Sequence, residues 1–216
     1  MELNRLIDHT VLKPDATDDD VRRLCAEARE YDFFSAVVNT HFVPLVAGEV
    51  AGTRVKVCSI AGFPLGAVDS EVKAFEAHRA VERGADEIDM VINVGAVKAG
   101  DWDFVRRDIE LVKKGWGEAL LQVIIEAALL TDEEKVTVCR TVMEAGAQFV
   151  KSSTGFGPPG ANPHAIRLMR ETVGPDFGVK ASAGIRSAAA ALELVEAGAN
   201  RIGTSSGVQI MEELKG

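Results

Sequence analysis

The chain has 216 residues, of which 47% are hydrophobic, so it can bury a large core in one domain spanning residues 1–216. Its 24 Lys and Arg residues and 33 Asp and Glu residues give a net charge of −9, which argues against nucleic acid or an anionic membrane as the main partner. No apolar run approaches the ~18 residues of a membrane span, and the N-terminus has no signal-like apolar segment. We therefore expect a cytoplasmic protein, in which a local pocket for a small phosphate remains possible.

The spacing of cysteine and histidine residues bounds the chemistry further. Cys25, Cys58 and Cys139 are odd in number and far apart, which fits a reducing compartment and small core fillers. The four histidines form no HxxxH or HxxE pattern. We expect neither a metal site nor a bound cofactor.

Short apolar runs alternate with longer amphipathic runs from one end of the chain to the other. This order is typical of repeated strand–helix units. The short runs predict eight strands, of which the first is the weakest: Ile7–Leu12, Ser35–Val38, Val55–Ile60, Glu87–Val91, Leu121–Ile125, Phe149–Lys151, Gly178–Lys180 and Arg201–Gly203.

Three of the longer runs carry clear helix signals. Thr17 precedes three aspartates, which predicts an N-cap followed by an acidic first turn. The segment that begins at Thr131 and reaches Glu134 spells a capping box. In Ser70–Arg83, apolar residues such as Val72 and Phe75 recur at a spacing near 3.6, as in a helix.

A weak repeat indicates how these units are arranged. Gly84, Gly146 and Gly198 each follow a Glu and one further residue and precede a predicted strand, at intervals of 62 and 52 residues. Glycine suits the left-handed position at a helix C-terminus. Eight units of about 27 residues favour a single (β/α)8 barrel, with a short N-terminal helical segment, for this α/β protein. The alternative, an open doubly wound sheet, predicts a glycine-rich turn after the first strand, which the run after Asp8 lacks.

Two apolar strands end on a lysine, Lys151 and Lys180. Lysines are seldom buried without a partner or a task. A buried amine beside a second cation and an apolar wall loses its proton readily and can attack carbonyl carbons. These residues alone do not say which of the two lysines reacts, and the alternative is that both are solvated at the start of loops.

Polar residues mark the C-terminal ends of the other predicted strands, where a barrel carries its active site. They are Asp8, Thr10, Asn39, Ser59, Asp89, Asn93 and Glu126. Carboxylates beside two lysines separate the pKa values of the group and can shuttle protons. The alternative for Asp89 is a structural acid that only pairs with a lysine.

A phosphate site is predicted at the loops after the last two strands. Gly203–Gly207 joins a strand to a helix, and backbone N–H groups and hydroxyls at such a junction suit an anion. Ala183–Arg186 and Gly155 fall beside it in the strand count. The alternative for the Gly203 turn is a simple N-cap, and the loop Gly155–Gly160 either covers the site or is a rigid connection.

Five segments, in this order and over essentially the whole chain, resemble the bacterial deoxyribose-phosphate aldolases, which are class I aldolases on a (β/α)8 barrel. The resemblance implies reversible cleavage of 2-deoxy-D-ribose 5-phosphate to D-glyceraldehyde 3-phosphate and acetaldehyde, in deoxynucleoside catabolism. We also expect a homo-oligomer, either a dimer or a tetramer, because barrel helices can supply an apolar outer face. The matching segments are Ile7–Thr17, Gly84–Val91, Val150–Phe156, Val179–Arg186 and Arg201–Ser206.

The resemblance also implies individual roles. Lys151 corresponds to the Schiff-base nucleophile, Lys180 to the second lysine that lowers its pKa, and Asp89 to the residue that moves protons. Asp8 corresponds to an acid that binds the substrate hydroxyl or supports the lysine pair. The implied phosphate-binding residues are Gly155, Gly184, Arg186, Gly203, Ser205 and Ser206. Thr10 and Asn39, at the ends of their strands, are also expected to bind the substrate.

The chain departs from the family pattern at three places. Phe156 stands where some members have a lysine, and Ala183 replaces the first glycine of a common pair. Some members end in a tail with a C-terminal tyrosine, whereas the only tyrosine of this chain is Tyr31.

Two other functions compete with the aldolase. One is another Schiff-base lyase or a transaldolase-like enzyme that acts on a different sugar phosphate. The other is a non-catalytic barrel that binds a sugar phosphate, which would be expected to lose a lysine or Asp89.

Overall fold

The computed structural model describes residues 2–114, 119–157 and 160–215. Eight parallel strands pair in chain order and close into a barrel, because the last strand also pairs with the first. The predicted barrel is therefore confirmed, with strand bounds within two residues of those expected. The strands are β1 Ile7–Val11, β2 Ser35–Val38, β3 Lys56–Ala61, β4 Glu87–Val91, β5 Leu120–Ile124, β6 Phe149–Lys151, β7 Gly178–Ser182 and β8 Arg201–Thr204.

Helices follow the strands and surround the barrel. The expected N-terminal helical segment is a 3-10 helix, Leu3–Leu6, and further 3-10 turns lie at Thr40–Phe42 and Ala127–Leu129. Within the described residues, no helix is long and apolar enough to cross a membrane. The α-helices are α1 Asp18–Glu30, α2 Val43–Glu49, α3 Ser70–Glu82, α4 Val94–Lys98, α5 Trp102–Lys113, α6 Asp132–Glu144, α7 Pro163–Val173, α8 Ala188–Glu196 and α9 Gly207–Glu213.

The predicted helix termini are confirmed. Thr17 caps α1, where its hydroxyl accepts from Asp20 N while the Asp20 carboxylate accepts from Thr17 N. Thr131 and Glu134 form the same reciprocal pair at the start of α6. Each pair satisfies backbone N–H groups that have no partner inside the helix.

The repeated glycines also have the conformation that their position predicts. Gly84, Gly146 and Gly198 have φ angles of 111°, 79° and 114°. Each lies two residues after the end of a helix, in the segment that leads to the next strand. Glycine tolerates this left-handed region at little steric cost, so it ends these helices sharply.

Helix α3 is confirmed, but its apolar residues do not all face the core. Val72 and Phe75 are 52% and 66% exposed, whereas Lys73, Ala77 and Ala80 are buried. Lys73 can be buried because its ammonium lies 2.6 Å from the Asp108 carboxylate of α5. The helical period predicted the helix but not the side that it turns to the barrel.

The main hydrophobic core lies between the barrel strands and the helix layer, and a smaller apolar cluster of Leu12, Val37, Cys58 and Ile60 is separate from it. The barrel interior itself is strongly polar. Asp8, Asp89, Lys151, Lys180 and Arg201 are all buried and contact one another there. Buried charges are costly unless they are paired, so this interior marks a site rather than a packing core.

Candidate active site

Four charged side chains from four different strands meet inside the barrel. Lys151 ends β6 and Lys180 lies beside it in the β6–β7 register. Asp89 comes from β4 and Asp8 from β1. Their side chains contact one another in the barrel interior.

One oxygen of Asp89 holds both lysines. Asp89 Oδ2 accepts from Lys151 Nζ at 2.5 Å and from Lys180 Nζ at 2.9 Å. The carboxylate is fully buried, and burial alone would raise its pKa. The two neighbouring lysines outweigh that effect and hold the pKa of Asp89 below its usual value.

Lys180 lies between two carboxylates. Besides Asp89, its Nζ is 2.7 Å from Asp8 Oδ2. Burial would lower the pKa of Lys180, but Asp8 and Asp89 together raise it above the ordinary lysine value. Burial likewise disfavours the charged form of Asp8, yet Arg201 and Lys180 hold its pKa well below the usual range. Lys180 is therefore an ammonium group at neutral pH.

Lys151 has the opposite balance. It is 4% exposed and contacts one carboxylate rather than two. Burial lowers the pKa of Lys151, Asp89 opposes that change, and the Lys180 cation lowers the pKa further, so the net shift is downward. Both lysines are buried, which excludes the alternative of two solvated lysines. The geometry distinguishes them where the sequence could not.

Two further charged residues, Arg201 and Glu87, lie below these four, and the sequence did not predict them as site residues. Arg201, which begins β8, donates to Asp8 Oδ1 at 2.7 Å and to both oxygens of Glu87 at 3.1 and 3.2 Å. Gln122 donates to Glu87 Oε2 at 2.8 Å. Burial and the Asp8 charge raise the pKa of Glu87, against the effect of Arg201. The sequence did contain a signal for this pair. Glu87 lies two positions before Asp89 on β4, and Arg201 lies two positions before Gly203 on β8, so each points to the same side of its strand as a predicted site residue.

Cys58 was expected to be a core filler, and it is buried. It also borders the site, because its Sγ lies 3.5 Å from Asp89 Oδ1. Burial and the Asp89 charge raise the pKa of this thiol well above its usual value, so it is present as the neutral thiol.

The charged cluster opens into a cavity of about 800 Å³ at the C-terminal end of the barrel. Lys151 lines this cavity, whereas Lys180 is fully buried behind it. Among the described residues, no group of three or more His, Cys, Asp or Glu side chains is arranged to hold a metal ion. Of the predicted substrate-binding residues, Thr10, Gly155, Gly184, Arg186, Gly203 and Ser205 line the cavity, whereas Asp8, Asn39 and Ser206 do not.

One end of the cavity has the features of an anion site. The backbone N–H groups of Gly155, Gly184 and Ser205 have no acceptor within the described part of the chain. The Arg186 side chain is exposed at the same wall. By contrast, the N–H of Ser206 donates to Thr204 Oγ1 at 2.9 Å, so it is already occupied. Unpaired N–H groups beside a guanidinium suit a phosphate.

The loop after Lys151 is held by Glu126, which was predicted only as a strand-end residue. Its Oε2 accepts from the Thr154 hydroxyl and, at 3.3 Å, from Thr154 N. Further along, Ala161 N donates to Ser182 O at 3.0 Å. Gly160 permits this approach, since a Cβ there would lie 2.1 Å from the Ala183 carbonyl oxygen. Residues 158 and 159 of the predicted covering loop lie outside the described residues.

The three departures from the family pattern can now be located. Phe156 lines the cavity and meets Phe63 edge-on at 5.3 Å between ring centroids. Ala183 has a φ of 75°, a left-handed conformation that glycine adopts with less strain. Tyr31 follows α1 and donates its hydroxyl to Glu212, and it does not line the cavity. Tyr31 therefore does not replace a tail tyrosine at the mouth.

Comparison with known proteins agrees with this geometry. The family model described as DeoC/LacD family aldolase matches residues 4–213. The chain is 56% identical to the deoxyribose-phosphate aldolase of Clostridium tetani over 216 residues, which is 100% of both chains. It is also 56% identical to that of Enterococcus faecalis, over 100% of this chain and 99% of the relative.

Solved structures agree with the same assignment. A tetrameric deoxyribose phosphate aldolase from Aeropyrum pernix superposes with a TM-score of 0.91 at 38% identity, over 99% of this chain and 91% of that one. Both the sequence match and the structural match cover nearly the whole chain. The chain therefore belongs to the DeoC/LacD family of aldolases.

Proposed function

We propose that this protein is a class I aldolase that reversibly cleaves 2-deoxy-D-ribose 5-phosphate to D-glyceraldehyde 3-phosphate and acetaldehyde. The observation that carries the proposal is the pair of buried lysines on one carboxylate oxygen. Lys151 faces the cavity with a lowered pKa, and Lys180 remains a cation behind it. An amine with a lowered pKa beside a fixed ammonium group favours Schiff-base formation, because the neutral amine is the form that attacks the carbonyl carbon.

The reaction begins with the neutral amine of Lys151. It adds to the C1 aldehyde of the open-chain sugar, and loss of water from the carbinolamine leaves an iminium ion. The resting Asp89 is ionised and can accept a proton, whereas the Lys180 ammonium can donate one. These two groups therefore supply the proton transfers of carbinolamine formation and breakdown.

The iminium ion then accepts electrons from the bond that breaks. A base removes the proton of the C3 hydroxyl, the C2–C3 bond cleaves, and its electrons form an enamine on Lys151. Glyceraldehyde 3-phosphate leaves with C3 as its aldehyde carbon. Protonation of C2 and hydrolysis of the resulting iminium ion release acetaldehyde and restore the amine. Each step needs proton exchange at one buried point, which the Asp89–Lys pair provides.

The phosphate group accounts for the other end of the cavity. We assign it to Arg186 and to the N–H groups of Gly155, Gly184 and Ser205. Binding energy from a phosphate remote from the reacting carbon can orient the substrate for attack by Lys151.

Borohydride trapping tests the function directly. The protein is incubated with 2-deoxyribose 5-phosphate or acetaldehyde, reduced, digested and mapped by mass spectrometry, without added metal. We expect one reduced adduct, on Lys151. A folded sample with no adduct on any lysine would reject the iminium route, and an adduct on Lys180 would reject the assignment of the nucleophile.

Arg186→Met should separate phosphate binding from catalysis. A hydrogen bond to a charged group is worth about 1.5–3 kcal/mol, so kcat/KM for the phosphorylated substrate should fall about 10- to 150-fold. The value for 2-deoxyribose should change less than about twofold. Arg106→Met, at an exposed position on α5, is the control. Equal losses on both substrates would move the phosphate away from Arg186.

We also propose that the protein forms a homo-oligomer through the outer face of α3. Val72 and Phe75 are exposed on α3, and Leu65 and Val68 are exposed in the segment that precedes it. Contiguous exposed apolar surface on a charged protein marks an interaction site. A second copy of the chain is its proposed occupant, in a dimer or tetramer, and the structural relative from Aeropyrum pernix is described as a tetramer.

Phe75→Glu tests this surface, because a charge in the centre of an apolar interface is strongly unfavourable. We expect analytical ultracentrifugation to show a smaller species than the wild type. Met143→Glu, at an exposed apolar residue of α6, should leave the assembly unchanged. A wild-type protein that sediments as a monomer would overturn the proposal.

The proposed place of action is the cytoplasm. Cys25, Cys58 and Cys139 are all buried as free thiols. Burial raises the pKa of Cys25 to about 11 and that of Cys139 to about 12, so these thiols resist oxidation. Unpaired cysteines of this kind fit a reducing compartment.

A further inference from the structure

A continuous series of alternating charges runs through the barrel from its floor to the reactive amine. In order, the groups are Glu87, Arg201, Asp8, Lys180, Asp89 and Lys151, and each is within 3.2 Å of the next. The proposed reaction uses the last three. The first two lie at the starts of β4 and β8, where no substrate reaches, yet their charges are buried at a cost.

The Arg201 guanidinium is fixed on every side. Glu87 accepts from both of its terminal nitrogens, and Asp8 accepts from Nη1. Its central carbon lies 3.4 Å from the ring centroid of Phe34 and 5.1 Å from that of Phe149. A guanidinium does not lose its proton in proteins, so this is a permanent positive charge in one orientation.

The Arg201 charge determines the orientation and the ionisation of the Asp8 carboxylate. Its Oδ1 accepts from Arg201 Nη1 at 2.7 Å and from Ser35 Oγ at 2.6 Å. Oδ2 is left for Lys180, at 2.7 Å. Asp8 is therefore held ionised and oriented by a group on its far side, and one of its oxygens is always presented to Lys180.

The position of Asp8 in turn decides how the two lysines share Asp89. Lys180 stays a cation because two carboxylates contact it, and as a cation beside Asp89 it disfavours a second positive charge on Lys151. If Arg201 were lost, one cation would leave the barrel interior and Asp8 could turn both oxygens to Lys180. The loss of that cation favours the protonated form of Lys151.

We propose that Arg201, held by Glu87, is a positioning residue that fixes Asp8 against Lys180 and so favours the neutral, reacting form of Lys151. This inference rests on the proposed function for its meaning in catalysis. The charged and titratable groups around Lys151 are Asp89 from β4, Lys180 from β7 and Cys58 from β3, with Asp8, Arg201 and Glu87 behind them.

Two measurements on one set of variants test the proposal. The first is the pH dependence of kcat/KM. The second is competitive labelling of lysines with acetic anhydride across a pH series, with peptide mass spectrometry, which reports the pKa of Lys151 directly. Labelling works whether or not the protein cleaves a sugar phosphate. Failure of the proposed function, seen as no reduced adduct on wild-type Lys151, is thus distinguished from failure of this inference.

Arg201→Met is expected to raise the pKa of Lys151 by about one unit, so the acid limb of the profile moves to higher pH. On the acid limb, below the pKa of Lys151, activity should fall about tenfold, and it should recover as the pH rises above that pKa. Arg201→Lys keeps the charge but loses the planar guanidinium that holds two carboxylates. The acid limb of its pH profile should therefore lie between that of the wild type and that of Arg201→Met. Glu87→Gln removes an anion and keeps hydrogen-bonding groups, so its limb should move to lower pH.

Lys73→Met is the matched control. It removes a cation that is equally buried and paired with a carboxylate, but between α3 and α5. It should lower stability without moving the pH limb. If Arg201→Met does not fold, Arg201→Lys and Glu87→Gln carry the test with the guanidinium site altered less. Loss of activity by the same factor at every pH, with an unchanged pKa of Lys151, would overturn the proposal.

Discussion

Replacement of Lys151 by leucine is expected to reduce cleavage of 2-deoxyribose 5-phosphate by at least about 10⁴-fold, since loss of a covalent nucleophile costs on this order or more. Leucine fills similar apolar space. Asp89 keeps its contact with Lys180 at 2.9 Å, so no buried carboxylate is left without a cation. The measurement is acetaldehyde release by a folded sample, with circular dichroism and thermal unfolding recorded beside it.

Lys73→Leu provides the matched control for that experiment. Lys73 is as deeply buried as Lys151 and also contacts one carboxylate, at 2.6 Å, but it faces α5 rather than the cavity. Its loss should lower the free energy of unfolding by about 3–5 kcal/mol, because Asp108 is left unpaired. Catalysis per folded molecule should be retained. Activity that survives in Lys151→Leu would contradict the assignment of the nucleophile.

Replacement of Lys180 by leucine is expected to lower turnover by about 10²–10⁴-fold, the range for loss of a positioned proton-transfer group. The pKa of Lys151 should also rise, since a neighbouring cation is removed while Asp89 remains. The neutral amine is the reacting form. Activity is therefore present above the pKa of Lys151 and is lost as the pH falls through it, so the acid limb of kcat/KM moves to higher pH.

Lys180→Leu removes a buried cation, so its effect on stability must be separated from its effect on catalysis. Asp8 keeps Arg201 and Asp89 keeps Lys151, so neither carboxylate becomes isolated. Kinetics are measured well below the unfolding temperature of the variant. A pH profile that matches the wild type would contradict the electrostatic coupling of the two lysines, even if turnover were low.

The two lysines differ through their surroundings rather than through their own sequence. Both end or nearly end an apolar strand, and they lie side by side in the β6–β7 register. What separates them is Asp8, which comes from β1 at the other end of the chain and contacts Lys180 but not Lys151. No pattern local to either lysine encodes that contact.

Much of the fold follows from local patterns. The eight strands are buried on both faces or line a closed interior, so they read as short apolar runs, and the helices between them carry capping residues and terminal glycines. Helix α3 shows the limit of such patterns. Its period is correct, but Lys73 faces inward and Phe75 outward, because the Asp108 partner lies on another helix.

The sequence by itself determined the order of strands and helices, the barrel, and the polar residues at the C-terminal strand ends, since alternation and capping depend on near neighbours along the chain. Only the tertiary structure decided which of those residues touch. Arg201 and Glu87 are 114 positions apart, yet they form one buried ion pair below Asp8. A pKa depends on every charge within a few ångströms and on the exclusion of water, and both are properties of the closed barrel. For that reason the surroundings of Lys151 and Lys180 differ in the structure, whereas the residues next to each of them in the sequence do not tell the two apart.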